Sequence, residues 1–313
     1  MSVSKIKKVL VIGGYGFIGS HISTYYESEG ADVYKTSRYL KSSVDLSKNG
    51  FYSDYSKESF SKILLSHEFD LIFYLSGNPY PAFSEKDPSY DIEHTITPTI
   101  NLLNALVETH FKGALWYASS VAVYGKTELP FQGEDDLCQP LSSYGLAKLN
   151  AEEYIKLYAR NHRISAGSFR VFSTFGEGLK RQIIYDLFLK CNQDSDVLEL
   201  YGSGKEKRDI CYVGDQVLRM ASIAEAVKPE GDVFNIGSGV SYSTEYIAET
   251  ILKILDSPKK IKYIEPIRKF DGYQWTASTK KFSSILPNIK PNFEDSLKKT
   301  LQSYKMEIKK NEF

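Results

Sequence analysis

Cysteine is scarce: three residues in 313, at Cys138, Cys191 and Cys211, with no CxxC pair among them. An odd, scattered set gives neither a disulfide framework nor a zinc pattern, so no metal site is expected and a reducing compartment is. Net charge is missing too, since 39 Lys and Arg offset 39 Asp and Glu. Without an overall field, the chain has nothing general to draw it to nucleic acid or an anionic membrane. Long apolar runs are also absent. The stretch at 9–12 that follows the basic start is too short for a signal-peptide core or a membrane span. A cytoplasmic protein is therefore expected, with no membrane and no nucleic-acid partner. No internal repeat or low-complexity tract interrupts it. What the chain does have is 42% apolar residues, enough for a sizeable core.

The first half alternates apolar runs with helix-compatible segments. Strands are predicted at 8–12, 32–36, 71–75 and 115–118, and helices at 16–30, 57–66, 101–109 and 144–159. Continuous apolar strands separated by helices indicate an α/β fold of Rossmann type, a doubly wound parallel sheet covered on both faces. The second half turns to Gly- and base-rich loops at 176–181 and 201–209, without a clean linker. A dinucleotide-binding domain over 1–172 is expected, rejoined by segments from about 209–240. A smaller C-terminal substrate-binding lobe takes 173–208 and 241–313.

The first strand runs into GGYGFIG at 13–19. Gly13, Gly16 and Gly19 permit a tight turn, close approach to a pyrophosphate and helix-on-strand packing, and Phe17 and Ile18 open a helix whose free amides suit phosphates. The same spacing also serves a plain strand-to-helix turn; its position inside a βαβ pattern makes it a dinucleotide site. An NAD site usually carries an acid at the end of the second strand. VYKTSR at 33–38 has none, and Ser37 and Arg38 fall there instead. A hydroxyl and a guanidinium suit a 2′-phosphate, so NADP(H) is favoured and NAD(H) is the alternative. Asp54 is a candidate adenine neighbour after the third strand. At 74–77, YLSG brings Leu75 and the small Ser76 and Gly77 to the end of a strand, leaving room for the cofactor.

YGLAK at 144–148 places Tyr144 and Lys148 one helical turn apart, so the ammonium can stand beside the phenol and lower its pKa. Such a phenol is a usable general acid/base. With 23 tyrosines the spacing alone is common. Ser119 and Ser120, ending the strand before it, single it out. Taken with the glycine turn and SSVAVYG at 119–125, the chain resembles the extended short-chain dehydrogenase/reductases, in their nucleotide-sugar epimerase/dehydratase/reductase branch. YGSGKEKRD at 201–209, YVGD at 212–215 and FNIGSG at 234–239 resemble later blocks, so the likeness covers nearly the whole chain. It implies that Tyr144 is the general acid/base, that Lys148 binds the nicotinamide ribose and tunes Tyr144, and that Ser120 hydrogen-bonds the reacting oxygen.

The chain departs from the family pattern in two places. YLSG stands where HxAA is frequent, and Ser173 replaces a frequent diphosphate-binding Asn. The acid pair that performs elimination in the dehydratases is represented here by Val121 and Ala122, which cannot move protons, so dehydration is disfavoured. Loss of the acid after the second strand ranks an NADP-dependent C4-keto reductase of a nucleotide-diphosphate sugar before an NAD-dependent C4 epimerase. Arg208 matches the arginine that clamps the diphosphate, with Arg268 and the pair Lys180 and Arg181 as further candidates. Lys180 and Arg181 also read simply as a solvated helix start. Asn78, in NPYP at 78–81, either lines the sugar site or belongs to a stiff turn. The resemblance further implies a homodimer through a four-helix bundle built from 97–108 and 144–159. A dinucleotide-binding protein without catalysis is the competing class, and the retention of Ser120, Tyr144 and Lys148 argues against it.

Overall fold

A computed structural model describes residues 6–38, 49–78, 81–264, 274–285 and 289–311. The elements in order are β1 (Lys8–Ile12), α1 (Phe17–Ser28), β2 (Asp32–Ser37), β3 (Gly50–Tyr52), α2 (Lys57–Ser66), β4 (Leu71–Tyr74), α3 (Pro81–Ser84) and α4 (Ser89–Asp91). A π-helical turn, Ile92–Ile96, leads into α5 (Thr97–Glu108), β5 (Ala114–Ser120), a 3₁₀ turn (Val121–Val123), α6 (Ser143–His162), β6 (Ser165–Val171) and β7 (Ser173–Phe175). Then follow α7 (Gln182–Cys191), β8 (Val197–Tyr201), β9 (Lys207–Tyr212), α8 (Val213–Ala226), β10 (Glu230–Ile236), β11 (Ser241–Ser243), α9 (Thr244–Leu255), β12 (Lys260–Ile264), α10 (Lys280–Ser283) and α11 (Phe293–Asn311).

The main sheet has seven strands in the order β10-β6-β5-β4-β1-β2-β3, every neighbour parallel. The apolar runs are continuous because alternate residues feed two cores. Leu10, Ile12, Ile72, Tyr74, Leu115 and Tyr117 enter the core that includes residues of α2, α5 and α6. Val9, Val11, Leu71, Phe73 and Trp116 enter the opposite core, with residues of α1 and α8. Trp116 stacks on Phe169 of β6 with ring centroids 4.4 Å apart. The expected doubly wound sheet is thus present, and β1 and α2 coincide with the sequence reading.

Strand order reverses between β1 and β4, which opens a crevice at their carboxyl ends, the place where such sheets hold ligands. The return to this sheet is made by α8 and β10, whereas β9 stays in a small sheet of order β11-β9-β7. That sheet, the pair β12-β8 and helices α7, α9 and α11 share a third core around Phe188, Leu198, Ile247 and Leu297. Among the described residues, no helix is long and apolar enough to cross a membrane.

Candidate active site

The glycine turn is a cradle defined by the absence of side chains. Gly13 has φ +86°, and a Cβ there would stand 3.0 Å from the Ser76 amide nitrogen. A Cβ on Gly19 would stand 2.3 Å from the Gly13 carbonyl oxygen, closer than any packing permits. Gly16 caps α1 without a side-chain hydrogen bond, and the first turn of α1 carries no acid. Phe17 and Ile18 pack their side chains against the core beneath. What faces the crevice is therefore a helix N-terminus with backbone donors, the chemistry a pyrophosphate requires. The residues present fit a dinucleotide: Gly13, Gly16 and Gly19 for its phosphates, with Leu75, Ser76 and Gly77 alongside.

At the end of β2, Ser37 and Arg38 are partly buried. The Arg38 guanidinium lies over the Tyr55 ring, 4.3 Å from its centroid, and its Nε has no hydrogen-bond partner among the described residues. Asp54 is exposed and its Oδ1 accepts from the Ser56 amide and hydroxyl, 3.0 and 2.7 Å, so it organises the start of α2.

On the other side of the crevice, β5 delivers Ser120 and α6 delivers Tyr144 and Lys148. Ser142 caps α6 by accepting from the Gly145 amide, 3.0 Å, which starts the helix immediately before Tyr144. Gly145 has no side chain because a Cβ would stand 2.6 Å from the Ala122 carbonyl oxygen. Ser120 Oγ accepts from the Ala122 amide, 3.2 Å, and stands near enough to the Tyr144 hydroxyl to pull its pKa down. Burial pushes the Tyr144 phenol above its ordinary value, opposed by the neighbouring Ser120 hydroxyl and by the charge of Arg181. The Arg181 charge adds a cation near the phenol that the spacing on α6 did not point to. Lys148 Nζ donates to the Ala118 carbonyl, 2.8 Å, and stands 5.8 Å from the Tyr144 ring centroid. Desolvation lowers Lys148 to about 8.

Behind these groups lies a buried network. Arg170 of β6 donates to both carboxylate oxygens of Glu152, with Nη2 at 2.9 Å from Oε2. Ser119 donates to the same carboxylate, and Arg170 Nη1 reaches the Tyr124 hydroxyl and the Glu134 carbonyl, both at 3.0 Å. The network fixes α6 against β5 and β6, and with it Tyr144 and Lys148.

In the lobe, a cavity of about 780 Å³ is lined by Ser173, Arg181, Tyr201 and Arg208, among others. Two of the residues expected in the substrate set make other contacts. Asn78 is buried, with Nδ2 donating to Ser84 Oγ and Asp91 Oδ1 at 2.8 and 2.9 Å, so its amide serves the fold. Lys180 pairs with Glu307 of α11 at 2.8 Å, away from the cavity lining. Arg268 lies outside the described residues. The loop between β7 and α7 is held from α11: the Tyr304 hydroxyl donates to the Leu179 and Gly176 carbonyls, 2.7 and 3.3 Å. Lys299 meets Glu177 at 3.2 Å and donates to the Tyr212 hydroxyl at 2.8 Å.

A sequence model of the NAD dependent epimerase/dehydratase family matches residues 9–237, most of the chain and all of the main sheet from Val9 onward. The chain belongs to that family. Among curated relatives of this epimerase/dehydratase chain is the dTDP-4-dehydro-6-deoxyglucose reductase of Escherichia coli, 28% identical over 271 residues, covering 83% of this chain and 85% of that protein. Another is the UDP-glucose 4-epimerase of Lactobacillus helveticus, 28% identical over 318 residues, covering 92% and 93%. The structure of UDP-glucose 4-epimerase from Thermotoga maritima with UDP-glucose has the same fold, with a TM-score of 0.85 at 24% identity over 96% of this chain and 99% of that one. The resemblance drawn from the motifs is borne out.

Sequence reasoning missed Asp91 and Thr95 in this family member. Both are 1% exposed and face the Lys148 side of the crevice through Asn78 and Gly77. Within SYDIEHTI they look like polar positions of a solvated helix face. Only the π-helical turn, which regular periodicity does not foretell, carries them inward.

Proposed function

We propose that the protein is an NADP(H)-dependent reductase of a keto group, at C4, on a nucleotide-diphosphate sugar, with Tyr144 as general acid/base. The observation that carries this reading is the placement of Ser120 at the carboxyl end of β5 beside Tyr144, with Lys148 one turn further along α6. A bound nicotinamide supplies the hydride. Tyr144 gives its hydroxyl proton to the sugar oxygen as that oxygen becomes an alcohol, and Ser120 holds the oxygen in line. Lys148 binds the nicotinamide ribose. Burial keeps the Tyr144 phenol protonated, the form that a carbonyl under reduction needs, which supports this direction. Val121 and Ala122 offer no proton-moving group beside Ser120, which sets elimination aside. Ser173, Arg181 and Arg208 in the lobe cavity form the diphosphate-binding set, since guanidinium groups match phosphate oxygens in charge and geometry.

Arg38 supports the choice of NADP(H): no acid ends β2, and a guanidinium whose Nε has no partner among the described residues suits a 2′-phosphate. The second reading, an NAD-dependent C4 epimerase, is favoured by the cofactor in the family's description and by the 4-epimerase relative. One titration separates the two. The purified protein, checked first for retained cofactor, is titrated with NADPH and NADH, then offered 4-keto nucleotide sugars. Preference for NADPH with none retained supports the reductase; NAD carried through purification, or preference for NADH, moves the epimerase to first place. A homodimer through α5 and α6 belongs to the same proposal, and Leu146 and Leu157, exposed on α6, support it. The scattered cysteines support a cytoplasmic setting.

A further inference from the structure

We infer that Asp91 is the counter-charge of Lys148, a positioning residue that keeps the lysine an ammonium aimed into the crevice. Asp91 ends α4 and is 1% exposed. The π turn that follows leaves Ile92 at the surface and brings Thr95 inward beside Asp91. Asn78 donates to Asp91 Oδ1, which orients the carboxylate but, being a neutral amide, leaves its charge intact. Asp91 Oδ2 has no hydrogen-bond partner among the described residues. A carboxylate so enclosed is costly unless a cation stands near it.

Lys148 is that cation. It is 5% exposed, and its Nζ lies 3.3 Å from the point a Cβ would occupy on Gly77, the residue preceding Asn78. The same point is 3.5 Å from Thr95 Oγ1, whose oxygen accepts from the Asn78 amide at 3.4 Å. Asn78, Thr95 and Lys148 therefore surround one space next to Asp91. The other groups facing Lys148 contribute less. Glu152, one turn further along α6, shares its charge with Arg170 at 2.9 Å and raises Lys148 less than Asp91 does. Tyr117 of β5, whose ring centroid is 4.8 Å from Nζ, and Tyr144 are neutral phenols raised by burial. The Ala118 carbonyl accepts a hydrogen bond without carrying charge. Asp91 and Glu152 both act to keep Lys148 protonated against desolvation, Asp91 the more strongly.

The consequence for cofactor binding rests on the role proposed for Lys148; the counter-charge itself does not. The test is accordingly a direct titration of the Lys148 ammonium by ¹⁵N-lysine NMR in the intact protein, its signal assigned by loss in Lys148→Met. The wild-type midpoint is expected at about 8. In Asp91→Asn, which keeps the shape and the Asn78 contact, the midpoint falls by about one unit or more. In Ser84→Ala, which removes a neutral partner of Asn78, it stays. An unchanged midpoint in Asp91→Asn overturns the inference. The wild-type protein gives an independent reading: the Asp91 carboxyl ¹³C signal steps at the Lys148 midpoint and loses that step in Lys148→Met. A missing wild-type step overturns the inference too, even if Asp91→Asn does not fold. If the midpoint falls but the pH dependence of the NADPH and NADH dissociation constants does not follow, Asp91 stands as counter-charge and the assigned role of Lys148 fails.

Discussion

Gly19 has no room for even a methyl group, because its Cβ would collide with the backbone oxygen of Gly13 rather than with a side chain able to move. Gly19→Ala is therefore expected to pull the turn from α1 and to abolish NADPH and NADH binding, measured by fluorescence titration. Tyr144→Phe removes only the proton-carrying oxygen. Turnover should fall by about 10²–10⁴-fold while the cofactor dissociation constant stays within a few-fold, and a variant that stays active contradicts the mechanism. Arg38→Ala should weaken NADPH by about tenfold or more, the value of a lost charge-assisted hydrogen bond, and leave NADH unchanged. Ser120, Tyr144 and Lys148 were legible in the sequence because chemistry fixes their spacing on one strand end and one helical turn. Asp91 was not, since an acid in SYDIEH reads as solvated until an irregular turn buries it. Asn78 misled in the opposite way. It follows a strand at the crevice, yet its amide is turned into the fold toward Ser84 and Asp91.

Helix α6 works as a ruler, with Tyr144, Lys148 and Glu152 at successive turns of one face. Its last member, Glu152, is locked to Arg170 with both side chains all but inaccessible, so cutting the pair leaves a bare buried charge. Arg170→Met should destabilise the protein by about 3–5 kcal/mol, and the double variant with Glu152→Met should recover most of the loss. Thermal denaturation of the wild type, both single variants and the double variant checks this; full additivity would show that the ion pair does not hold α6. At this scale β1, β4 and β5 were readable because their apolar runs feed two cores at once. The helix predicted at 144–159 extends in the structure to His162, where Arg163 turns left-handed at φ +55°. The short helices α3 and α4 escaped notice, being too brief to establish a period.

The whole molecule joins a dinucleotide-type sheet to a lobe with its own core, and the crevice lies where strand order reverses. Light scattering at micromolar concentration is expected to give twice the chain mass, and Leu146→Arg to shift it toward the monomer; a wild-type monomer would sink the helix-bundle dimer. Fold class was readable at this scale because alternation of strand and helix leaves few architectures. The lobe was less so, since its small sheets are assembled from segments far apart in sequence, such as β8 with β12.

The anchoring of the 176–179 loop by Tyr304 and Lys299 bears on how each copy comes into being. A ribosome that has released β10 has already supplied every strand of the main sheet and the glycine turn. The loop over the sugar side has by then only its ties to His21 and Tyr212, and gains those from α11 well over fifty codons later at the pace of elongation. Newly made chains thus complete the dinucleotide side of the crevice before the last ties of the opposite side are in place.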